Sequence, residues 1–178
     1  YDIGPGNCLI DEWIRKNSKK KYDENGSIAK SGNTDKLILN QALKNFNIDS
    51  YEKSLDIKDF DISFVKGLSL EDGASTLTDF TASLIAQGIR HSNGKHASWT
   101  HKCLVSGGGR KNQYLIDGIK KNEINFKNMS IEPVEKYGID GDFVESQAFG
   151  YLAIRSYLKL PISFPETTGC KELCTGGV

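Results

Sequence analysis

Apolar positions along this chain follow two rhythms, a helical one and one of short continuous runs. Leu9, Ile10, Trp13 and Ile14 share a helical face and predict an amphipathic helix from residue 7 to about 17. Asn25-Gly26 and Ser31-Gly32-Asn33 read as loop punctuation, and Thr34 as the N-cap of a second helix carrying Leu37, Ile38, Leu39, Ala42 and Leu43. A short helix is expected around Ile57 to Val65, with Phe60 and Phe64 one turn apart and Gly67 ending it. Ser69 followed by Asp72 has the spacing of a capping box. Behind it Leu77, Phe80, Leu84, Ile85 and Ile89 predict the longest helix, to about His91.

Two short runs read as strands, Lys102 to Ser106 and Ser130 to Val134. A helix from about Asn112 to Lys121 separates them, and another from Asp142 to Leu158 follows, stopped by Pro161 and Pro165. Strands alternating with helices predict an α/β layer fold.

Composition narrows the function classes. Residues 1–178 suit one domain, long enough to bury roughly 70% of the surface of the unfolded chain. The 23 basic and 23 acidic side chains cancel, whereas nucleic-acid binders carry a basic excess. No apolar run approaches the roughly 20 residues of a membrane span. Arg15, Lys16, Lys19, Lys20 and Lys21 cluster where the first helix ends, a placement that the helix dipole favours without a phosphate partner. Cys8, Cys103, Cys170 and Cys174 follow no pairing framework, Cys170 and Cys174 fit neither a zinc knuckle nor a redox pair, and all four read as free thiols in a reducing, cytoplasmic setting. His91, His96 and His101 recur every five residues, which suits no helical metal site, so a solvated loop and no protein-held metal are expected.

Two glycine turns carry the candidate chemistry. In Tyr1-Asp2-Ile3-Gly4-Pro5-Gly6-Asn7 a strand end is expected to run through a tight turn into a helix. Asp2 at the strand end is a candidate general base, with Gly4, Gly6 and Asn7 facing an anion at the helix start. The residues alone fit equally an aspartate that bonds turn amides. The chain opens on this turn with neither an initiator Met nor a signal-peptide pattern, so a further segment is expected upstream. The second turn is Ser106-Gly107-Gly108-Gly109-Arg110-Lys111-Asn112, where bare backbone can approach a ligand. It lacks the Lys-Ser or Lys-Thr of a Walker loop and the third glycine of a dinucleotide fingerprint, and by itself fits a plain tight turn too.

Taken in order, a series of segments resembles the C-terminal half of the anhydro-N-acetylmuramic acid kinases, of the actin/hexokinase-like superfamily. They are Tyr1–Asn7, Leu9–Trp13, Tyr22-Asp-Glu-Asn-Gly26, Ala74–Ala82, Ser106–Asn112, Gly138–Asp142, Glu145–Ala153 and Thr168-Gly169. The resemblance implies a ribonuclease-H-like domain, a mixed sheet flanked by helices, spanning 1–178 as the nucleotide-side half of a two-domain sugar kinase. It implies an enzyme that opens 1,6-anhydro-N-acetylmuramic acid with water and phosphorylates O6, using ATP and Mg²⁺, in bacterial cell-wall recycling. Asp2 then holds the place of the base, Gly4, Gly6 and Asn7 lie by the substrate and phosphates, and Gly107, Gly108, Gly109 and Asn112 by the nucleotide. A homodimer is implied as well.

Three departures accompany it. Ile3 stands where the family has threonine, and the Lys53–Phe64 segment keeps Lys53-Ser54 without the proline, threonine and glycine around them. The family's N-terminal Gly-Thr-Ser-Met-Asp-Gly type turn has no counterpart in these residues, so the chain alone is expected to be a poor kinase or none. The alternatives are a catalytically dead nucleotide-binding or interaction module of the same fold, and a related kinase acting on another sugar.

Overall fold

A computed structural model describes residues 2–46, 54–93, 101–122 and 129–176. The chain divides into two compact units, Tyr1–Pro133 and Val134–Val178.

The first unit is organised on one long helix. The order is α1 (Cys8–Asn17), α2 (Ser27–Ser31), α3 (Lys36–Asn45), α4 (Leu70–Asn93), β1 (His101–Val105), α5 (Gln113–Asn122) and β2 (Met129–Pro133). Helices α1, α2, α3 and α5 all contact α4. Leu9, Ile10, Trp13 and Ile14 of α1 are buried with Ala74, Leu77, Phe80 and Leu84 of α4, as their spacing predicts. A second cluster gathers Leu115, Ile116 and Ile119 of α5 against Ala82, with Val105 and Ile131 of the strands packed on it.

Small residues on α4 let its neighbours come close. A Cβ on Gly73 would enter the Trp13 ring, and one on Gly88 would enter the Ile3 side chain. The Trp13 indole also donates to the Leu70 carbonyl at 2.9 Å, which fixes α1 against the start of α4. The loop before α3 meets the same helix. Thr34 Oγ1 donates to Asp79 at 2.6 Å, the Asp35 amide to Thr76 Oγ1 at 3.0 Å and the Asn33 amide to Asp72 at 2.7 Å. Gly32 sits where a Cβ would collide with the Glu71 backbone.

Strands β1 and β2 pair in parallel, His101 opposite Met129 and Val105 opposite Pro133. With α5 between them in sequence they form the strand–helix–strand unit of an α/β fold, and the sheet of the described residues is this two-stranded parallel pair rather than a mixed one.

Several local expectations are corrected. Asp2 and Ile3 belong to no strand; Tyr1 lies outside the described residues. The segment from Asn25 to Asn33 is not all loop, because the buried Asp23 carboxylate accepts the Ile28 and Ala29 amides (2.8 and 2.9 Å) and starts the short helix α2. Asp35, not Thr34, caps α3 through the Leu37 and Ile38 amides; the Thr34 hydroxyl is taken by Asp79. The expected helix at 57–65 is two separate 3₁₀ turns, Ile57–Asp59 and Ser63–Val65, the first closed by a reciprocal box between Asp56 and Asp59. Ser69 does cap the Asp72 amide (3.0 Å), while the Asp72 carboxylate bridges to Asn33. His91 lies in α4 and His101 in β1, so only His96, outside the described residues, is left to the expected loop.

The second unit holds a 3₁₀ turn at Val134–Tyr137, helix α6 (Val144–Tyr157) and the short α7 (Pro165–Thr168). Asp142 and Phe143 precede α6 rather than open it. Its C-terminal segment closes on itself: the Ile162 and Ser163 amides donate to the Cys174 carbonyl, and Ser156 Oγ to the Gly176 carbonyl. Phe149, Tyr151, Ile154 and Tyr157 of α6 are exposed. Among the described residues, no helix is long and apolar enough to cross a membrane.

Gly32→Ala drives a methyl into the Glu71 backbone. It is expected to cost about 2–3 kcal/mol in urea unfolding. Gly108→Ala, which meets nothing within 4 Å, should stay within about 0.5 kcal/mol of the parent.

Candidate functional site

The two glycine turns converge. Gly107 follows β1 with φ 71° and ψ −177°, a backbone region that is essentially glycine's alone. The chain then winds through a 3₁₀ turn, Gly108–Lys111, whose Cβ positions at Gly108 and Gly109 are open. Arg110 steadies this turn, its guanidinium donating to the Gly107 carbonyl at 2.8 Å. Asn112 ends it, buried to 4% exposure, with its side-chain oxygen accepting the Leu115 amide at 3.1 Å. That bond starts α5, so the expected helix begins at Gln113 with Asn112 as its capping side chain.

The other face of Asn112 reaches the first turn. Its side-chain amide donates to Asn7 Oδ1 at 3.3 Å, across 105 positions of sequence. Asn7 stands at the N-cap of α1 but makes no side-chain cap there. The Cys8 amide is taken by the Pro5 carbonyl at 3.1 Å, so the turn satisfies part of its own helix start.

Around this contact lies a cleft of about 370 Å³, lined by Asn7, Asp11, Tyr22, Asp23, Glu24, Asn25, Gly108, Lys111 and Asn112. This is within the usual size of small-molecule sites. Of the eight candidate residues, Asn7, Gly108 and Asn112 line the cleft, while Asp2, Gly4, Gly6, Gly107 and Gly109 do not. A Cβ on Gly4 would instead lie at ordinary contact distance from Leu84 and Ile85 of α4.

Asp2 is exposed, and its carboxylate meets no hydrogen-bond partner among the described residues. Its backbone is held from the Lys53–Phe64 segment, where the family pattern is incomplete. The Asp2 amide donates to Ser54 Oγ at 3.0 Å, and the Leu55 amide to the Asp2 carbonyl at 2.9 Å. Lys53, beside it, lies outside the described residues. Ile3 packs on Gly88, an apolar contact that a threonine hydroxyl would not complete.

Sequence reasoning misses one wall of the cleft. The segment Tyr22–Asn25 supplies four of its lining residues, and only the family-like Tyr-Asp-x-x-Gly spacing marks it. Asp11 carries no signal of its own beyond lying within the family-like Leu9–Trp13 stretch. Burial beside Asp23 holds its carboxyl above the usual carboxylate range; the Arg15 charge and the Asp23 backbone oppose the rise and the Asp23 charge adds to it. No group of three His, Cys, Asp or Glu side chains gathers into a metal cage among the described residues.

The family model described as anhydro-N-acetylmuramic acid kinase matches residues 1–178. The chain belongs to the anhydro-N-acetylmuramic acid kinase family. It is 53% identical to the anhydro-N-acetylmuramic acid kinase of Pelagibacter ubique, over 100% of this chain and 48% of that protein. The kinase of the same name from Rhizorhabdus wittichii is 40% identical over 100% of this chain and 47% of its own length. That of Rhodospirillum rubrum is 38% identical over 99% and 45%. The chain thus spans about half the length of the curated relatives it matches. Family membership implies an actin/hexokinase-like fold, and the helices and parallel strand pair are compatible with it.

The raised Asp11 pKa gives a pH test. Because the folded value lies above the unfolded one, the favourable contribution of protonated Asp11 is complete below the unfolded pKa and lost as pH rises through the folded pKa. Asp11→Asn is therefore expected to raise the melting temperature at about pH 7 and leave it unchanged near pH 3. Equal shifts at both would mean that the carboxyl does not feel its burial.

Proposed function

We propose that this chain is the nucleotide-side half of an ATP-dependent kinase that opens 1,6-anhydro-N-acetylmuramic acid and phosphorylates it, yielding N-acetylmuramic acid 6-phosphate in cell-wall recycling. The observation that carries the reading is the Asn7–Asn112 hydrogen bond, which joins two glycine turns 105 residues apart at one cleft with Gly108 in its wall. Turns of bare backbone at helix starts suit phosphates.

The order of the motifs supports placing the chain as the C-terminal half, within a ribonuclease-H-like domain to which β1, α5 and β2 contribute. The relatives' remaining length then supplies the second phosphate-binding turn and much of the sugar site, so the chain alone turns over poorly. A cytoplasmic location and a homodimer belong to the same reading.

In the proposed reaction Asp2 takes a proton from water as the water oxygen bonds to the anomeric carbon. The C1–O6 bond breaks, and O6 bonds to the γ-phosphorus as ADP leaves. An exposed carboxylate with no hydrogen-bond partner among the described residues is free to accept that proton. Ser54 and Leu55 hold its backbone in place. The residues present also fit the nucleotide. Gly108 and Lys111 edge the cleft, and Asp11, Glu24 and Asn25 offer acceptors for hydroxyls. Magnesium fits as an ion carried on the phosphates, whose charge it neutralises, since such sites need only one or two carboxylates and waters rather than a cage.

The test is a calorimetric titration of the purified chain with Mg²⁺-ATP. Binding that Gly108→Val weakens at least about tenfold, a methyl-bearing side chain now filling the cleft, is the expected result. Binding indifferent to that change would move the nucleotide away from this turn. In the chain joined to the missing half, Asp2→Asn is expected to lower turnover by about 10²–10⁴ while leaving ATP affinity within twofold. Retained turnover would remove Asp2 from the base role. A module without turnover is the second reading, favoured by the packing of Ile3 on Gly88 where the family has a hydroxyl; phosphorylated sugar formed by the joined halves would exclude it.

A further inference from the structure

The Tyr22–Gly26 motif takes no part in the proposed bond changes, yet it is built into the cleft wall by two contacts. Asp23 is 5% exposed, and its carboxylate accepts the Ile28 amide at 2.8 Å, the Ala29 amide at 2.9 Å and the Ser27 hydroxyl at 3.4 Å. Ile28 and Ala29 lie in the main core, so these bonds moor the turn to the body of the first unit. The Gly26 amide returns to the Asp23 carbonyl at 3.2 Å, closing the turn. Asn25 and Gly26 both adopt left-handed backbone (φ 56° and 70°), which carries the chain straight onto the second glycine turn. There Gly26 abuts Asn112: a Cβ would collide with Asn112 Oδ1 and come within 2.6 Å of Tyr114 Cβ. Asn112 Oδ1 is the atom that holds the Leu115 amide, and the same side chain holds Asn7.

We propose that Asp23 and Gly26 are positioning residues for the nucleotide turn. Asp23 fixes the height of the Tyr22–Gly26 segment, and Gly26 presses on Asn112 so that its side chain bridges α5 and Asn7 and the Gly108 backbone faces the cleft. Tyr22, Glu24 and Asn25 are thereby presented as the opposite wall. The inference rests on reading the cleft as the nucleotide site only for the identity of the ligand; the mechanical coupling stands on the contacts themselves.

Hydrogen exchange of the full 178-residue chain, read by mass spectrometry, separates the two. Asp23→Ala removes the mooring of two buried amides and is expected to speed exchange over residues 107–116 about tenfold. Helix α3, to which the Asp23 carboxylate makes no hydrogen bond, serves as the internal control and should be unchanged. Asp23→Asn keeps one acceptor oxygen for the two amides and should restore only part of the protection; Gly26→Ala should reproduce the local loss. Exchange over 107–116 that stays at the parent rate, or that rises no more than in α3, overturns the proposal. Where the alanine variant does not fold, Asp23→Asn decides instead, with about a threefold local increase expected and no increase overturning the coupling. Mg²⁺-ATP added to the parent chain should slow exchange over 107–116, and Asp23→Ala should weaken that effect at least about tenfold. No slowing in the parent would overturn the nucleotide reading of the cleft while the coupling is judged by the variants alone.

Discussion

Close approach to helix α4 is the constraint on which the rest of the first unit depends. Four helices, the Ile3 turn and the Gly32 loop all settle on it, at the places where Gly73, Gly88, Ala74 and Ala82 leave room. Packing at this density tolerates little added volume, since each added methylene must displace an atom already in contact. The polar groups that come with such closeness are mostly satisfied inside the helix itself. Thr76 and Thr78 return their hydroxyls to the Asp72 and Ala74 carbonyls, and Ser83 to Asp79, while Thr81 Oγ1 is buried without a partner among the described residues.

Much of this is legible in the sequence, for a definite reason. Leu9, Ile10, Trp13 and Ile14 repeat on one helical face, as do the apolar residues of α4, and burial follows such periodicity directly. What the pattern does not reveal depends on side chains bonding to distant backbone. Asp23 looks like an ordinary loop residue until its carboxylate is seen on two amides of α2. Asp35 displaces Thr34 as a cap because the threonine hydroxyl has a stronger acceptor in Asp79, 45 positions away. The 57–65 segment has apolar residues at helical spacing, but Asp56 and Asp59 close its first turn on themselves and end it.

The candidate site divides along the same line. The glycine turns stand out by composition, and the structure brings Asn7, Gly108 and Asn112 to one cleft. That Asp2, Gly4, Gly6, Gly107 and Gly109 serve elsewhere cannot be read from a motif, because a glycine run does not say which of its residues faces a ligand and which makes the bend. Gly107 makes the bend; Gly4 rests on α4. Ser54 is equally hidden. Its value lies in a single backbone contact to Asp2, across 52 positions, which the retained Lys53-Ser54 pair does not disclose.

The Asn7–Asn112 bond also has a consequence in time. Its partners are separated by 105 positions, and a ribosome adding about 5–20 residues per second needs about 5–20 s to bridge that interval. Until Asn112 is added the first glycine turn lacks its partner side chain, and α1 can lie only against the part of α4 already made. The cleft is therefore among the last features of the first unit to exist on a nascent chain. Any ligand that stabilises it acts on a first unit that is already largely made, and has no earlier intermediate to select.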